Sequence, residues 1–365
     1  MKNTFGNNLT VTIFGESHGA AVGCVIDGIA PGIKINYEYL AACMKKRQAR
    51  GDISTPRREA DEVEFLSGVK DGVTEGTPIC LIVRNNNIRS DAYLPYESIP
   101  RPSHADYTAE CKYHGYQDKA GGGHFSGRVT AALVAAGAII GGALSEKQIT
   151  ILSHIKRLGG IEDTDFCNYS EDAQRLAESS FPTLSDEAAR AMTERILSAK
   201  ENGDSIGGII ESAVIGMPTG VGEPWFDTME GVIAHALFSV PGIKGVEFGD
   251  GFGIADMSGS EANDPFRYEN GAVVTAKNSS GGIQGGITNG MPITVRTAVK
   301  PTPSISKAQG SVDLCLGENT EISIGGRHDP AIIHRATAVV DAVLAIAVAD
   351  MLVTRYGTDW LGGKK

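Results

Sequence analysis

Hydrophobic and polar positions change period several times along this chain, and each change marks an element. LTVTIF alternates, is rich in β-branched residues and ends at GESHG, which predicts a strand. AAVGCVIDG follows the turn as a second strand, so the pair reads as a hairpin. YEYLAACMKKRQAR has helical character, stops at Gly51, and places its basic residues in the last turn, where the helix dipole favours them. ISTPRREADEVEFLSGVKDG then predicts an arginine-bearing loop, a strand and a turn at Asp71-Gly72, and PICLIVRN a further strand.

Residues 101–128, RPSHADYTAECKYHGYQDKAGGGHFSGR, keep neither a period of 2 nor one of 3.6. They read as an ordered loop, and loops of this length inside a compact domain usually carry function. The run VTAALVAAGAIIGGAL behind it predicts a tightly packed helix whose first backbone N–H groups face whatever the glycine turn surrounds. ITILSHIKRLGGI returns to strand, and residues 161–205 become acidic and helix-rich. SDEAARAMTERILSAKENG there opens on a Ser/Asp cap and ends at Gly203. Without a Pro/Ser-rich linker on either side, this segment reads as a peripheral helical excursion of one domain spanning residues 1–365. GGIIESAVIG, IKGVEFG and MPITVRTAVK read as strands and DTMEGVIAHALFSV as a helix.

GGRHDPAIIHRATAVVDAVLAIAVADMLV repeats the plan of GGGHFSGR and its helix: paired glycines, His, Arg, then a long Ala/Val-rich helix. Two small-residue helices with antiparallel strands around them in sequence predict an α+β fold, a layered β-α-β sandwich with the helices between antiparallel sheets. The strict strand–helix alternation of a doubly wound sheet is absent.

Composition sharpens this picture at three points. Glycine supplies 46 of 365 residues, gathered in GGGHFSG, SSGGIQGG and GDGFG, where the backbone turns tightly or approaches a ligand closely. The net charge of −11 argues against a nucleic-acid or anionic-membrane surface. Yet Lys45, Lys46, Arg47, Arg50, Arg57 and Arg58 cluster within fourteen residues, which suits a small anionic ligand. The six cysteines are scattered without CxxC or metal spacing, as in a reducing, cytoplasmic setting, and no signal-peptide pattern opens the chain. The apolar run 129–144 is shorter than the roughly 20 residues of a membrane span.

His18 and His104 stand in polar, Gly- or Pro-flanked loops and are the candidates for proton transfer, because imidazole titrates near neutrality. His114, His154 and His235 read as local hydrogen-bonding or packing histidines. Asp329, close behind Arg327 and His328, either orients a neighbour as an ionised carboxylate or caps the helix beginning near Pro330. GESHG matches G-x-S-x-G, but the segment after it is strand-like and only fourteen residues precede it, so a serine hydrolase elbow does not fit. Walker A, a placed G-x-G-x-x-G, HEXXH and EF-hand spacings are all missing from the sequence.

Taken in order, GESHG, TPRRE, RPSHADYT, the triple glycine with Ser126 and Arg128 behind it, SSGGIQGG, KPTPSI and GGRHDP resemble the motif series of chorismate synthases, over residues 14–352. The resemblance implies an anti 1,4-elimination of phosphate from 5-enolpyruvylshikimate 3-phosphate, giving chorismate and requiring reduced FMN without net redox change. It also implies a cytoplasmic homotetramer, with NADPH as a source of reducing equivalents and an external flavin reductase. By matching motifs it places Arg47, Arg58, Arg101, Arg128 and Arg327 around the anionic substrate, with Arg57 and Arg335 as weaker candidates. His18 would protonate the departing phosphate, His104 would act at the flavin N1 side, and Asp329 with Ser17 would relay the proton removed from the substrate ring. FMN would lie against His124, Phe125, Ser126, Pro241, Gly242, Gly285, Lys300, Pro301, Thr302, Pro303, Ser304 and Arg327. Many relatives carry Arg-Ser-Ser where this chain has His124-Phe125-Ser126. That departure leaves, as the alternative, a non-catalytic flavin- or phosphate-binding protein on the same scaffold.

Overall fold

In the computed structural model, which describes residues 2–55, 60–86, 98–325 and 328–362, the alternating segments form two five-stranded antiparallel sheets. The first contains β1 (Thr4–Phe5), β2 (Thr10–Gly15), β3 (Ala21–Asp27) and β4 (Val63–Ser67). After a small hairpin of β5 (Val69–Lys70) and β6 (Val73–Thr74) comes β7 (Ile79–Arg84), and the spatial order is β1-β2-β3-β7-β4. Asp71 and Gly72 make the β5–β6 turn, both at positive φ (51° and 76°), as the sequence predicts for a two-residue hairpin loop.

The second sheet combines β8 (Thr150–Leu158), β9 (Ile161–Glu162), β10 (Gly208–Ile215), β11 (Ile243–Phe248) and β16 (Ile293–Val299) in the order β11-β16-β10-β8-β9. Short hairpins β12 (Phe266–Glu269) with β13 (Ala272–Thr275) and β14 (Ile283–Gln284) with β15 (Ile287–Thr288) lie between β11 and β16 in the chain. A further hairpin, β17 (Gln309–Asp313) with β18 (Glu318–Ile322), comes after β16. Period-2 burial sets the faces: Ile79, Leu81 and Val83 point into the core from β7, and Ile293, Val295, Thr297 and Val299 from β16.

The helices are α1 (Tyr37–Arg47), α2 (Asp106–Tyr113), α3 (Thr130–Ser145), α4 (Tyr169–Glu178), α5 (Asp186–Glu201), α6 (Met229–Phe238), α7 (Gly259–Ala262) and α8 (Ile333–Tyr356). The apolar side of the first sheet packs on α3, that of the second on α8, and the two helices pack on each other, which is the expected layered sandwich. With the short turn before it, α3 extends over Gly127–Ser145, and this stretch and α8 are long and apolar enough to cross a membrane, but 83% and 94% of their apolar windows are buried inside the protein. Small residues explain the close approach. A Cβ on Gly137 of α3 would overlap the Cα and Cβ of Ala342 on α8, so only glycine permits this helix spacing. Asp350, buried on α8, accepts the backbone N–H groups of Asn7 (2.9 Å), Asn8 (2.8 Å) and Leu9 (2.9 Å), tying the β1–β2 connection to the central layer.

One expectation needs correction. The loop predicted over 101–128 contains α2, closed by His114 in the left-handed conformation (φ 57°). Its sole buried residue is Ala109, so it has no apolar stripe for a periodicity search to find. His154 has the structural hydrogen-bonding role expected of it: its Nδ1 donates to Asp163 (3.0 Å) and its Nε2 to Glu211 (3.1 Å), and its ring is fully buried. Burial alone would lower its pKa, but the two carboxylates outweigh that and raise it. Asp163 also accepts the N–H groups of Leu184 (2.5 Å) and Ser185 (3.0 Å), so this charge cluster anchors the start of α5. Met192 and Ile196 of α5 in turn are fully buried members of the main core, which joins the 161–205 segment to the sandwich.

Gly137→Ala should lower stability by about 1–3 kcal/mol through overpacking, despite alanine's better helix propensity. Gly142→Ala on the same helix, where the nearest atom to a new Cβ is Asn36 Cβ at 4.0 Å, should raise it by about 0.5–1 kcal/mol. Urea midpoints of the two variants against the parent protein check the pair of opposite signs.

Candidate active site

Ser17 and His18 occupy the β2–β3 turn, and the triple glycine comes directly against them. Ser17 N–H donates to Gly123 O (3.1 Å), and its hydroxyl donates to Gly121 O (3.1 Å) and Ala120 O (3.3 Å). Gly121, Gly122 and Gly123 all have positive φ (61°, 85° and 52°). A side chain at Gly121 would stand 2.5 Å from His18 Nε2 and 2.8 Å from Ser17 Oγ, so the glycine run exists to seat backbone against these two residues. His124 Nδ1 then donates to Gly15 O (2.8 Å), which ties the far end of the run to β2. Phe125 meets Tyr113 edge-on at 5.9 Å, and Ser126 Oγ accepts Arg128 N–H at 3.3 Å. Arg101, forked onto Asp106 by two 2.8 Å bonds, passes beside Gly122.

The next two arginines are buried and share one carboxylate. Arg47, 5% exposed, donates to Asp61 (2.7 Å), Thr130 Oγ1 (3.0 Å), Gly127 O (3.2 Å) and Arg128 O (3.3 Å). Arg128, equally buried, donates to the other oxygen of Asp61, to Asn85 Oδ1 (2.9 Å) and to Arg84 O (3.0 Å). Asn85 turns its amide to Glu16 O (2.9 Å) and Gly19 O (2.8 Å), so the arginine pair also holds the GESHG turn. Asp61 and Asn85 are site-building residues that sequence reasoning missed. The signal was present in EADE behind the basic run: two buried guanidinium groups require a buried anion.

On another wall, residues 103–104 meet residues 300–304. His104 Nδ1 donates to Pro102 O (3.1 Å), so in the neutral ring Nε2 accepts from Ser304 Oγ (2.8 Å). Burial, then the nearby Arg101 and Lys300 charges, push the His104 pKa down to about 4 against the opposing pull of Pro102 O and Asp106. Lys300 Nζ donates to Ser103 O (2.8 Å) and its backbone N–H to Gly242 O (2.9 Å), which brings Pro241 and Gly242 beside the same strand end. Burial and Lys244 lower the Lys300 pKa. Thr302 O accepts from Ser205 (2.6 Å), while Thr302 Oγ1 is buried without a hydrogen-bond partner among the described residues, between Pro301 and Pro303 in sequence. Gly285, on the β14–β15 turn at φ 64°, has open space where a side chain would go; this turn packs on the start of α6, where Met229 N–H donates to Gly286 O.

Asp329 is not a helix cap. α8 starts at Ile333, four residues later, and Asp329 Oδ1 accepts Thr55 N–H (2.7 Å) while Oδ2 accepts from Arg335 (2.6 Å). Arg335 also donates to Arg47 O (2.8 Å), so it links Asp329 to the buried arginine pair. No hydrogen bond among the described residues joins Ser17 to Asp329. Arg57, Arg58 and Arg327 lie outside the described residues.

The residues described here come from widely separated stretches of sequence, and their donors dominate: guanidinium, imidazole, ammonium, hydroxyl and glycine-lined backbone. Such a set is built for a small, multiply anionic ligand.

Comparison with known proteins places this arrangement in a family. Residues 9–353 match the chorismate synthase family model. Chorismate synthase of Methanobrevibacter smithii is 46% identical over 356 residues, covering 97% of each chain, and that of Dehalococcoides mccartyi is 44% identical over 352 residues, covering 96% of each. A crystal structure of chorismate synthase superposes with a TM-score of 0.74 at 28% identity, covering 97% of this chain and 94% of that one. With a family match across nearly the whole chain, close relatives over the same length and a shared fold, this chain belongs to the chorismate synthase family.

Proposed function

We propose that the chain converts 5-enolpyruvylshikimate 3-phosphate to chorismate and phosphate with reduced FMN bound at the site just described. As a chorismate synthase it is a carbon–oxygen lyase of aromatic biosynthesis. The observation that carries the reading is the seating of the triple glycine against Ser17 and His18, with Arg101 and the Arg47–Asp61–Arg128 cluster alongside. This puts a general-acid candidate beside a concentration of positive charge, which the loss of a phosphate dianion requires.

The residues present fit a flavin. Thr302 Oγ1 is a buried hydroxyl without a partner among the described residues, Gly242 (φ 98°) and Gly285 present backbone without side chains, and Lys300 adds a cation next to Gly242. His124, Phe125, Ser126, Pro241, Gly242, Gly285, Lys300, Pro301, Thr302, Pro303 and Ser304 would hold it. Reduced flavin supplies electron density to the breaking C–O bond, chemistry that no side chain performs.

His18 donates a proton to the leaving phosphate in this scheme. His104 begins neutral, with Nε2 accepting from Ser304; a negative charge arriving against the ring raises its pKa and places a proton on Nε2. Asp329 and Ser17 pass on the proton removed from the substrate ring. Arg101 faces the substrate anions, and Arg47 and Arg128 act from beneath it: their donors are committed to Asp61 and carbonyls, so they contribute field. Arg58 and Arg327 complete the set by family likeness. A cytoplasmic homotetramer, with reducing equivalents from NADPH through an external flavin reductase, completes the proposal.

An anaerobic assay with reduced FMN and 5-enolpyruvylshikimate 3-phosphate should yield chorismate and phosphate; folded protein giving no product at saturating flavin would sink the reading. His18→Ala and His104→Ala should each lower kcat by about 10- to 1000-fold, and wild-type turnover would remove that residue from the scheme.

His104 also makes folding depend on pH. The unfolded chain takes up the His104 proton near 6.5 and the folded one only near 4, so acidification across that window favours unfolding. Stability of the protein without ligand should fall from pH 6.5 to 4, and less steeply in His104→Asn. Melting temperatures over that range would contradict this if the variant and parent curves ran parallel.

A further inference from the structure

Behind Asp329, two adjacent rungs connect the loop after α1 to the start of α8. In the first, Ser54 Oγ and His334 Nε2 lie 2.7 Å apart. In the second, Thr55 N–H and Arg335 grip the two oxygens of Asp329 at 2.7 Å and 2.6 Å. The partners in the second rung are the chain neighbours of those in the first. Whatever fixes Ser54 on His334 therefore fixes Thr55 relative to Arg335, and so fixes the span that the Asp329 carboxylate must bridge.

The first rung is the rigid one. Ser54 is 2% exposed and His334 3%, so water does not compete for the bond. The imidazole lies nearly parallel to Phe181, 20° between planes at a centroid distance of 6.2 Å, and its backbone belongs to the first turn of α8. Burial, then the charges of Arg335 and Arg50, push the His334 pKa down to about 3, so the ring stays neutral, with one donor and one acceptor nitrogen for a serine hydroxyl to match. The loop is braced from outside as well: Lys200 of α5 donates to Asp52 O (2.6 Å), and Arg50 donates to Ser180 O.

We propose that Ser54 and His334 form a buried positioning pair that holds the Thr55 amide on Asp329 and thereby sets the direction in which that carboxylate faces the site. Neither residue touches the reacting groups; both act through Asp329. The consequence for turnover rests on the reading of Asp329 as a proton-relay residue, whereas the placement of the Thr55 amide does not.

The test uses Ser54→Ala, His334→Leu and His334→Gln, the last returning a polar atom near the Nε2 position. Hydrogen–deuterium exchange of the cofactor-free protein, read at single residues, should show Thr55 exchanging at least about tenfold faster in Ser54→Ala and His334→Leu, because its acceptor is no longer held in register. The amides of Asn8 and Leu9, held by Asp350 elsewhere, should keep their parent rates, and His334→Gln should recover most of the Thr55 protection. In the reduced-FMN assay, Ser54→Ala should lose about 10-fold in kcat while the substrate KM and the FMN affinity move less than about threefold.

Unchanged Thr55 exchange in both Ser54→Ala and His334→Leu overturns the proposal, as does acceleration spread equally to Asn8 and Leu9. So does fast Thr55 exchange with parental kcat, provided Asp329→Ala is itself slow. Full turnover in Asp329→Ala would instead sink the relay reading of Asp329, with the exchange rates still deciding the placement of Thr55.

Discussion

Two arginines sharing one buried aspartate is the constraint on which this site depends. Arg47 ends α1, Arg128 precedes α3, and Asp61 lies just before β4, so three separate stretches of chain are held at one point. Two buried guanidinium groups bring more N–H donors out of water than one carboxylate can accept. That is tolerable only because Gly127 O, Arg128 O, Arg84 O, Thr130 Oγ1 and Asn85 Oδ1 take up the remaining donors. Loss of Asp61 would take a buried carboxylate away from two buried cations, a far larger cost than loss of a surface ion pair.

Around that point the architecture uses absence of side chain as a tool. Gly137 lets α3 and α8 touch, and Gly121 lets the loop before α3 touch Ser17 and His18. The first sets the thickness of the helical layer; the second sets how close backbone stands to the proposed general acid. Both positions are limited by atoms already in place, so neither tolerates a methyl group without movement of a neighbour.

Protonation is arranged by burial as much as by charge. His104 and His334 are both driven neutral, whereas His154, buried against Phe166, has its pKa raised by two carboxylates. The difference lies in the partners: a carbonyl and hydroxyls for the first two, Asp163 and Glu211 for the third. In the proposed scheme His104 responds to a newly arrived anion, while His154 holds the 161–205 segment in place.

Much of this was legible in one dimension. Alternation and β-branched content found the longer strands of both sheets, because a sheet face imprints period 2 on its sequence, but not the two-residue strands β1 and β9. Small-residue runs found α3 and α8, and the motif order identified the family and its candidate residues. The short helix α2 was not legible, because it buries one alanine and leaves no stripe. The partners were not legible either: Asp61 for Arg47 and Arg128, Thr55 for Asp329, Ser304 for His104, Asp163 and Glu211 for His154. Asp329 shows the difference most plainly, since its place before a helix suggested a cap, and in the fold it bridges Thr55 and Arg335. Local pattern and motif are properties of neighbours along the chain, and the sequence by itself determined those. Which charge faces which, and which histidine keeps its proton, depends on groups as far apart in sequence as Ser54 and His334 meeting in a dry interior, and only the tertiary structure decided that.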